Sequence, residues 1–132
     1  MSKVKVVTIG LGYIGLPTSA LIAQNGIQVH GVDINQDVVN TINEGKIHIV
    51  EPSLDIAVEN SVKKGFLKAD IKPVAADTYL IVVPTPFKGN HEPDISFVEA
   101  ATKGVIPILK EQDLYIIEST SPIGTTFTWT PF

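Results

Sequence analysis

The sequence has 132 residues, enough for one domain with a hydrophobic core. Its formal net charge is −4, which excludes a basic surface for binding nucleic acid or an anionic membrane. All ten basic residues are Lys, so no arginine in this sequence can clamp a phosphate. It contains no Cys, so these residues supply no disulfide, thiolate metal site or thiol nucleophile. No apolar run is long enough to span a bilayer and no signal-peptide pattern opens the chain. We therefore expect a soluble, cytoplasmic protein.

Short apolar runs alternate with helical patterns along the whole chain. Such alternation is typical of an α/β domain with a parallel sheet. The predicted elements, in order, are a strand at Val4–Ile9, a helix at about Tyr13–Asn25, a strand at Gln28–Asp33, a helix at about Gln36–Glu44, a connection at Lys46–Pro52, a helix at about Leu54–Lys64, a short strand at Phe66–Lys72, a strand at Tyr79–Val83, a polar loop at Phe87–Pro93, a helix from Ser96 towards Lys110, and a strand at Leu114–Glu118.

Polar residues and prolines set the expected helix boundaries. Asn35 and Ser53 precede helical patterns and are predicted N-caps, because their side chains accept hydrogen bonds from the first helical N–H groups. Ser96 and Glu99 have the spacing of a capping box. Pro107 falls inside the last helical pattern, where its missing N–H predicts a kink.

The first strand, the first helix and the second strand contain the strongest functional signal. Gly10, Gly12 and Gly15 have G-x-G-x-x-G spacing between a β-branched run and a helical pattern, and Asp33 closes the next β-branched run. Gly10 permits the sharp turn, Gly12 lets backbone N–H groups approach a pyrophosphate, and Gly15 allows close packing of the helix. The helix N-terminus favours the phosphate charge. A carboxylate at Asp33 can accept hydrogen bonds from the ribose hydroxyls of NAD and would repel the 2′-phosphate of NADP. The pattern therefore predicts NAD rather than NADP.

Four separated segments are predicted at one edge of the sheet. The elements predict a doubly wound, mostly parallel sheet of the Rossmann type, and such sheets bind ligands beyond the carboxyl ends of their strands. Those ends are Gly10–Gly15, Asp33, Pro84–Pro86 and Ser119–Thr120. A different adenine cofactor on the same fold is an alternative, because fold alone does not fix function.

Several motifs at these ends resemble one enzyme family. The segments are G-L-G-Y-I-G-L-P, G-V-D-I-N, V-P-T-P-F-K-G-N-H-E-P-D and E-S-T-S-P-I-G-T-T. Together they resemble the N-terminal NAD-binding domain of the UDP-glucose/GDP-mannose dehydrogenase family over about residues 3–126. The fuller P-T-P-F-K-G-N-H-E-P-D form, with I-H-I-V-E-P at 47–52, is similar to the UDP-N-acetyl-D-mannosamine dehydrogenase branch of that family.

The resemblance implies an activity and a set of site residues. Members oxidise the C6 alcohol of a nucleotide sugar to a carboxylate, reducing two NAD⁺ and passing through a thiohemiacetal on a Cys. The UDP-sugar is thus expected as a partner of the full-length enzyme only. The residues that match family positions are Gly10, Gly12, Tyr13, Ile14 and Gly15 for the pyrophosphate, Asp33 for the ribose, Thr85 and Thr126 near the dinucleotide, and Thr120 for a catalytic water.

The sequence also departs from the family pattern. It lacks the family's Cys, and its last residues, F-T-W-T-P-F, do not match. We expect a truncated member, with a Rossmann NAD-binding domain at 1–126, an atypical tail at 127–132 and no substrate domain. An exposed sheet edge would then invite self-association into a homo-oligomer. The alternatives are a non-catalytic dinucleotide-binding fragment and the same domain of a UDP-glucose 6-dehydrogenase.

Other polar residues have structural interpretations beside functional ones. His30, His48 and His91 show no metal-ligand spacing, and His30 is expected to be structural. Glu118 follows the last predicted strand at the sheet's carboxyl edge, where an active-site acid and a structural hydrogen-bonding role are both reasonable.

Overall fold

The computed structural model describes residues 4–83, 87–88, 92–93 and 96–118, of which residues 87–88 and 92–93 are described in backbone only. Their elements are β1 (Val6–Ile9), α1 (Gly15–Gln24), β2 (Val29–Val32), α2 (Gln36–Asn43), α3 (Leu54–Lys63), β3 (Leu67–Asp70), β4 (Thr78–Ile81), β5 (Phe87–Lys88), β6 (Glu92–Pro93), α4 (Ser96–Val105), a 3₁₀-helix (Ile106–Ile108) and β7 (Leu114–Ile117).

Five strands form one parallel sheet in the order β3-β2-β1-β4-β7. The chain moves outward from β1 through β2 to β3, and then crosses to β4 on the other side of β1. This reversal makes the carboxyl ends of β1 and β4 the topological switch point, where ligands bind in open α/β sheets. The prediction of a doubly wound, mostly parallel sheet is confirmed.

The core has two parts, one on each face of the sheet. Successive strand residues point to opposite faces, and β2 contributes to both parts, with Val29 in one and Val32 in the other. On the face covered by α1, α2 and α3 each helix contributes one fully buried side chain, from Leu16, Ile42 and Val58. On the other face Val98 of α4 and Val7 of β1 are fully buried. Each such side chain contributes about 1.5–3 kcal/mol by burial, and the two layers hold the sheet's carboxyl edge between them.

The edge strand β3 is protected by a side chain from α2. The Asn43 side-chain oxygen accepts a hydrogen bond from the Ala69 N–H at 2.8 Å, and its amide nitrogen donates to the Ala69 carbonyl at 2.9 Å. The amide thus replaces a neighbouring strand at this position. Exposed strand edges are templates for pairing with other chains, so this contact opposes aggregation there.

One predicted helix cap is confirmed and another is wrong. The Asn35 side chain accepts a hydrogen bond from the Asp37 N–H at 2.9 Å, as predicted for an N-cap. Ser53 precedes α3 but has φ of 64° and makes no side-chain cap hydrogen bond. The reason is geometric, because a capping side chain works from the extended backbone conformation, which Ser53 does not adopt.

Two predictions in the C-terminal half are also wrong. The last helix ends at Val105 instead of bending at Pro107, which lies in the following 3₁₀-helix. Proline lacks the N–H that would continue α-helical bonding, and its ring disfavours the α conformation of the residue before it. The segment Phe87–Pro93, predicted as a polar loop, contains the two-residue strands β5 and β6 in an antiparallel ribbon.

The start of α4 agrees with the predicted position within one residue. Ser96, the predicted cap, is its first helical residue, and residue 95 lies outside the described residues. Such a difference is within the ordinary uncertainty of helix boundaries. Glu99 accepts a hydrogen bond from the Lys103 Nζ at 2.9 Å.

Candidate cofactor-binding site

Gly10 turns the chain sharply as it leaves β1. Its φ is +105°, and a Cβ built there would lie 2.3 Å from the Val82 carbonyl oxygen. Its N–H donates to the Val32 carbonyl at 2.8 Å, so the turn is fixed to β2 as well. Both the backbone conformation and the contact with the segment after β4 require glycine. The turn therefore sits at the topological switch point.

Gly15 brings the start of α1 against that turn. A Cβ at Gly15 would lie 1.8 Å from the Gly10 carbonyl oxygen, closer than any real contact. The predicted close approach of the helix is therefore made to the loop's own backbone at the end of β1. The Ser19 hydroxyl donates to the Gly15 carbonyl at 2.7 Å and adds a hydrogen bond within the first turns of α1.

Gly12 and its neighbours form the open part of the loop. Among the described residues no atom lies within 4 Å of a Cβ built at Gly12, so their packing does not require a glycine there. Tyr13 and Ile14 are 67% and 62% exposed. Within the described part of the chain, the N–H groups of Gly12, Tyr13 and Ile14 donate no hydrogen bond, and Ile14 gives α1 no side-chain cap. Free donors at a helix N-terminus suit a phosphate.

Asp33 follows β2 and is held by two backbone groups. Its Oδ2 accepts a hydrogen bond from the Leu11 N–H at 3.2 Å, and its Oδ1 accepts one from the Asn35 N–H at 3.0 Å. Its own N–H donates to the Asp70 carbonyl at 3.1 Å. Each carboxylate oxygen keeps lone-pair capacity for one further donor. The carboxylate is therefore oriented at the sheet edge and available to two hydroxyl groups.

An open cleft of about 620 Å³ adjoins the loop and Asp33. Its volume is large enough for part of a nucleotide, and its walls are mostly apolar, with a few polar groups among them. The wall residues come from the ends of β1 and β2, the segments after β3 and β4, and α4: Ile9, Gly10, Val32, Asp33, Ile34, Ile71, Pro73, Val83, Ser96, Phe97, Ala100, Ala101 and Gly104.

These features together fit a dinucleotide. The unpaired N–H groups and the space above Gly12 suit a pyrophosphate, the oriented carboxylate suits a ribose, and the apolar cleft suits a base. The model of the UDP-glucose/GDP-mannose dehydrogenase family, NAD binding domain, matches residues 4–130. The chain belongs to this family. The described loop, carboxylate and cleft are thus those of an NAD-binding domain.

Relatives of known activity are similar over nearly the whole chain. It is 59% identical over 126 residues to the UDP-N-acetyl-D-mannosamine dehydrogenase of Salmonella typhi, covering 96% of this chain and 30% of that protein. It is 54% identical over 118 residues to the NDP-N-acetyl-D-galactosaminuronic acid dehydrogenase of Ralstonia nicotianae, covering 89% of this chain and 28% of the relative. The chain thus spans less than a third of the length of these curated relatives.

Solved structures of the family share this fold. The UDP-N-acetyl-mannosamine dehydrogenase of Staphylococcus aureus superposes with a TM-score of 0.90 at 41% identity, covering 92% of this chain and 30% of that one. The GDP-mannose dehydrogenase of Pseudomonas aeruginosa, solved as a ternary complex, superposes with a TM-score of 0.86 at 27% identity, covering 93% and 30%. The Rossmann fold is therefore shared across nucleotide-sugar dehydrogenases of different specificity.

The structure brings together the sequence-predicted residues of the first two strand ends. Gly10, Gly12 and Gly15 lie in one loop. The N–H of Leu11, in the same loop, donates a hydrogen bond to the Asp33 carboxylate. Three predicted residues lie outside the described part of the chain, as does the 127–132 tail: Thr85, Thr120 and Thr126. Their assignments stay predictions.

The other polar candidates give no second site in the described residues. His30 is buried, and its Nε2 lies 3.0 Å from the Lys72 carbonyl oxygen, which supports the structural role expected for it. Glu118 follows β7, where its N–H donates to the Ile81 carbonyl at 2.9 Å. Across the described ranges there is no group of three metal-ligating side chains, and no helix is long and apolar enough to cross a membrane.

Sequence reasoning missed two parts of the site. The first is the apolar wall that Ile34, Ile71 and Phe97 contribute to the cleft, from three segments far apart in the chain. Ile34 is 85% exposed directly after Asp33, an exposed apolar position that the sequence pattern does not explain. The second is Leu11, which lies inside the glycine loop and is fully buried. The sequence did offer one indication of this, because an apolar residue between two loop glycines suggests a side chain that packs into the core.

Proposed function

We propose that this chain is the NAD-binding portion of a UDP-N-acetyl-D-mannosamine 6-dehydrogenase. The observation that carries the proposal is the joint geometry of the glycine loop and Asp33, whose carboxylate the loop itself holds at 3.2 Å. The 59% identity to a UDP-N-acetyl-D-mannosamine dehydrogenase supports the choice of branch. That identity favours this branch over the alternative of a UDP-glucose 6-dehydrogenase.

The loop residues bind the cofactor's phosphates in this proposal. The N–H groups of Gly12, Tyr13 and Ile14 donate to the pyrophosphate, and the positive end of the α1 dipole adds a favourable electrostatic contribution. Gly10 and Gly15 shape the turn, because a side chain at either would collide with backbone oxygen. With no Arg in the sequence, backbone donors carry this interaction.

Asp33 binds the adenosine ribose and selects the cofactor. Its two oxygens accept the ribose hydroxyls, and its charge repels a 2′-phosphate. The apolar cleft beside it excludes water from the base. Bound NAD⁺ supplies the hydride acceptor for oxidation of the C6 alcohol. From the resemblance, Thr85 and Thr126 are proposed near the dinucleotide and Thr120 beside a catalytic water.

The 132 residues bind the oxidant without completing the reaction in this proposal. The thiohemiacetal chemistry implied by the resemblance needs a Cys, and this sequence has none. The UDP-sugar is consequently proposed as a partner of the longer enzyme only, with residues 1–126 as the NAD-binding domain. The cytoplasm, which supplies NAD⁺ and nucleotide sugars, is the proposed location, and the uronic acid product is proposed to serve polysaccharide synthesis.

Self-association is a further part of the proposal. In the described sheet β7 is a terminal strand with β4 as its neighbour, and Leu114 on β7 is 54% exposed. An edge strand of this kind offers N–H and C=O groups to a second chain. We propose a homo-oligomer, which sedimentation of the chain at increasing concentration tests directly.

Calorimetric titration of the chain with NAD⁺ and NADP⁺ tests the cofactor assignment. NAD⁺ should bind more tightly, and Asp33→Ala should weaken NAD⁺ by about 1–3 kcal/mol, the cost of losing charge-assisted hydrogen bonds. Equal NAD⁺ affinity in the two proteins would remove Asp33 from the site. Incubation with NAD⁺ and UDP-N-acetylmannosamine should give no steady NADH formation, and a sustained rate would contradict the proposed inactivity.

A further inference from the structure

Leu11 occupies an unusual place for an apolar residue. It lies within the glycine loop between the half-buried Gly10 and Gly12, yet its side chain is fully buried. It belongs to the core cluster beneath α1, α2 and α3. The loop is therefore anchored in the hydrophobic core by one side chain.

Gly31 on β2 provides the space for that side chain. A Cβ at Gly31 would lie 2.8 Å from the Leu11 Cδ2 and 3.0 Å from its Cδ1. Real Cβ contacts are longer, because packed carbon atoms attract each other best at about 3.5–4.0 Å. A methyl group at Gly31 would consequently force the end of the Leu11 side chain to shift.

The backbone of Leu11 makes the second contact with the segment that contains β2. Its N–H donates to the Asp33 Oδ2 at 3.2 Å, while the other carboxylate oxygen is held by Asn35. One residue thus connects Gly31 to Asp33 through its side chain and its N–H. A shift of the Leu11 backbone, caused by loss of its side-chain anchor, would remove one of the two hydrogen bonds that orient the carboxylate.

We propose that Leu11 is a positioning residue that sets the preference for NAD⁺ over NADP⁺ by holding the Asp33 carboxylate. This inference rests on the proposed function, in which Asp33 binds the ribose. With the carboxylate fixed, both oxygens meet the ribose hydroxyls and the charge faces a 2′-phosphate. With Leu11 displaced, the carboxylate turns towards solvent, so the ribose loses its acceptors and the 2′-phosphate meets less repulsion.

Titrations with NAD⁺ and NADP⁺ distinguish this role from a purely structural one. Gly31→Ala and Leu11→Val should each lower NAD⁺ affinity by about tenfold, the loss expected for one charge-assisted hydrogen bond, while changing NADP⁺ affinity by less than about twofold. Leu11→Met, which retains a long flexible apolar side chain, should keep the wild-type preference. Circular dichroism verifies folding, and Leu11→Val provides the same comparison if Gly31→Ala does not fold.

Leu67→Ala is the matched control. Leu67 lies on β3 in the same core cluster and is 2% exposed, so its truncation also loosens the core. It should leave the ratio of the two affinities unchanged. If Gly31→Ala and Leu11→Val likewise weaken both cofactors equally, Leu11 is only a core residue and the proposal is wrong.

Double variants with Asp33→Ala separate this proposal from the function on which it rests. Without the carboxylate, Gly31→Ala should cost less than about twofold in NAD⁺ affinity, because coupled residues give non-additive effects. A full tenfold loss in that background would overturn the role of Leu11 while leaving Asp33 in the site. If Asp33→Ala alone had no effect on NAD⁺ affinity, the ribose assignment and the role of Leu11 would both fail.

Discussion

Two glycines of the same loop should respond to substitution in opposite ways. A side chain at Gly12 would meet no atom of the described residues within 4 Å, and the backbone there does not need a positive φ. A side chain at Gly15 meets the Gly10 carbonyl oxygen at 1.8 Å. Gly12→Val should therefore affect the ligand, whereas Gly15→Ala should affect the fold.

The geometry gives the size of each effect. At Gly15 the obstacle is the backbone carbonyl of Gly10, which cannot move aside as a side chain can. We therefore expect the upper end of the usual overpacking cost, about 3 kcal/mol. That cost lowers the Tm by roughly 10 °C for a domain of this size. At Gly12 the unfolding free energy should change by less than about 1 kcal/mol. The valine side chain fills the phosphate space, and loss of two hydrogen bonds to charged oxygen weakens NAD⁺ by about 3 kcal/mol or more, which is over about a hundredfold.

Thermal unfolding followed by circular dichroism and calorimetric titration with NAD⁺ measure the two quantities separately. Leu21→Ala, on the exposed side of α1, is the control and should change neither quantity by much, since Leu21 is 62% exposed. The reasoning is refuted if Gly12→Val binds NAD⁺ as the wild type does. It is also refuted if Gly15→Ala unfolds at the wild-type temperature.

Two further predictions concern the sheet edges. Asn43→Ala removes both hydrogen bonds to Ala69, so it should lower the free energy of unfolding in urea by about 1–2 kcal/mol and increase aggregation. The control Asn40→Ala, on the same helix, should lower it by less than about 0.5 kcal/mol. Equal losses in the two variants would contradict the role of Asn43. Burial raises the pKa of the Tyr115 phenol, although its hydrogen bond with Thr102 acts in the opposite direction. The folded state thus favours the neutral phenol, so the stability that Tyr115 contributes should be lost as pH rises above about 10. The free energies of unfolding at about pH 9 and about pH 11 measure this loss, which should be absent in Tyr115→Phe.

The sequence was most informative where local chemistry decides the structure. The glycine spacing, the β-branched runs and Asp33 predict a strand, loop, helix and strand, and the structure has them in that order. Parallel strands separated by helices leave few topologies, because crossover connections are right-handed. The doubly wound sheet and the position of the loop at its carboxyl edge follow from those constraints.

Features that depend on tertiary contacts were not predictable in this way. Ser53 has the right residue type for a cap, yet its left-handed backbone prevents the bond. In the sequence Gly31 is only a glycine within a strand pattern, and its role follows from the Leu11 side chain that packs against it. The wall that Phe97 contributes to the cleft depends on where α4 lies over the sheet. Sequence periodicity carries no information on such pairings between distant segments.

Nuclear magnetic resonance of the isotope-labelled chain during titration with NAD⁺ tests the central claim most directly. The amide signals of Gly12, Tyr13 and Ile14 should shift because their N–H groups donate hydrogen bonds to the pyrophosphate. The signals of Leu11 and Asp33 should shift because the ribose binds to the Asp33 carboxylate. Shifts that leave these five signals unchanged and fall elsewhere on the molecule would contradict the assignment of the glycine loop and Asp33 as the NAD⁺ site.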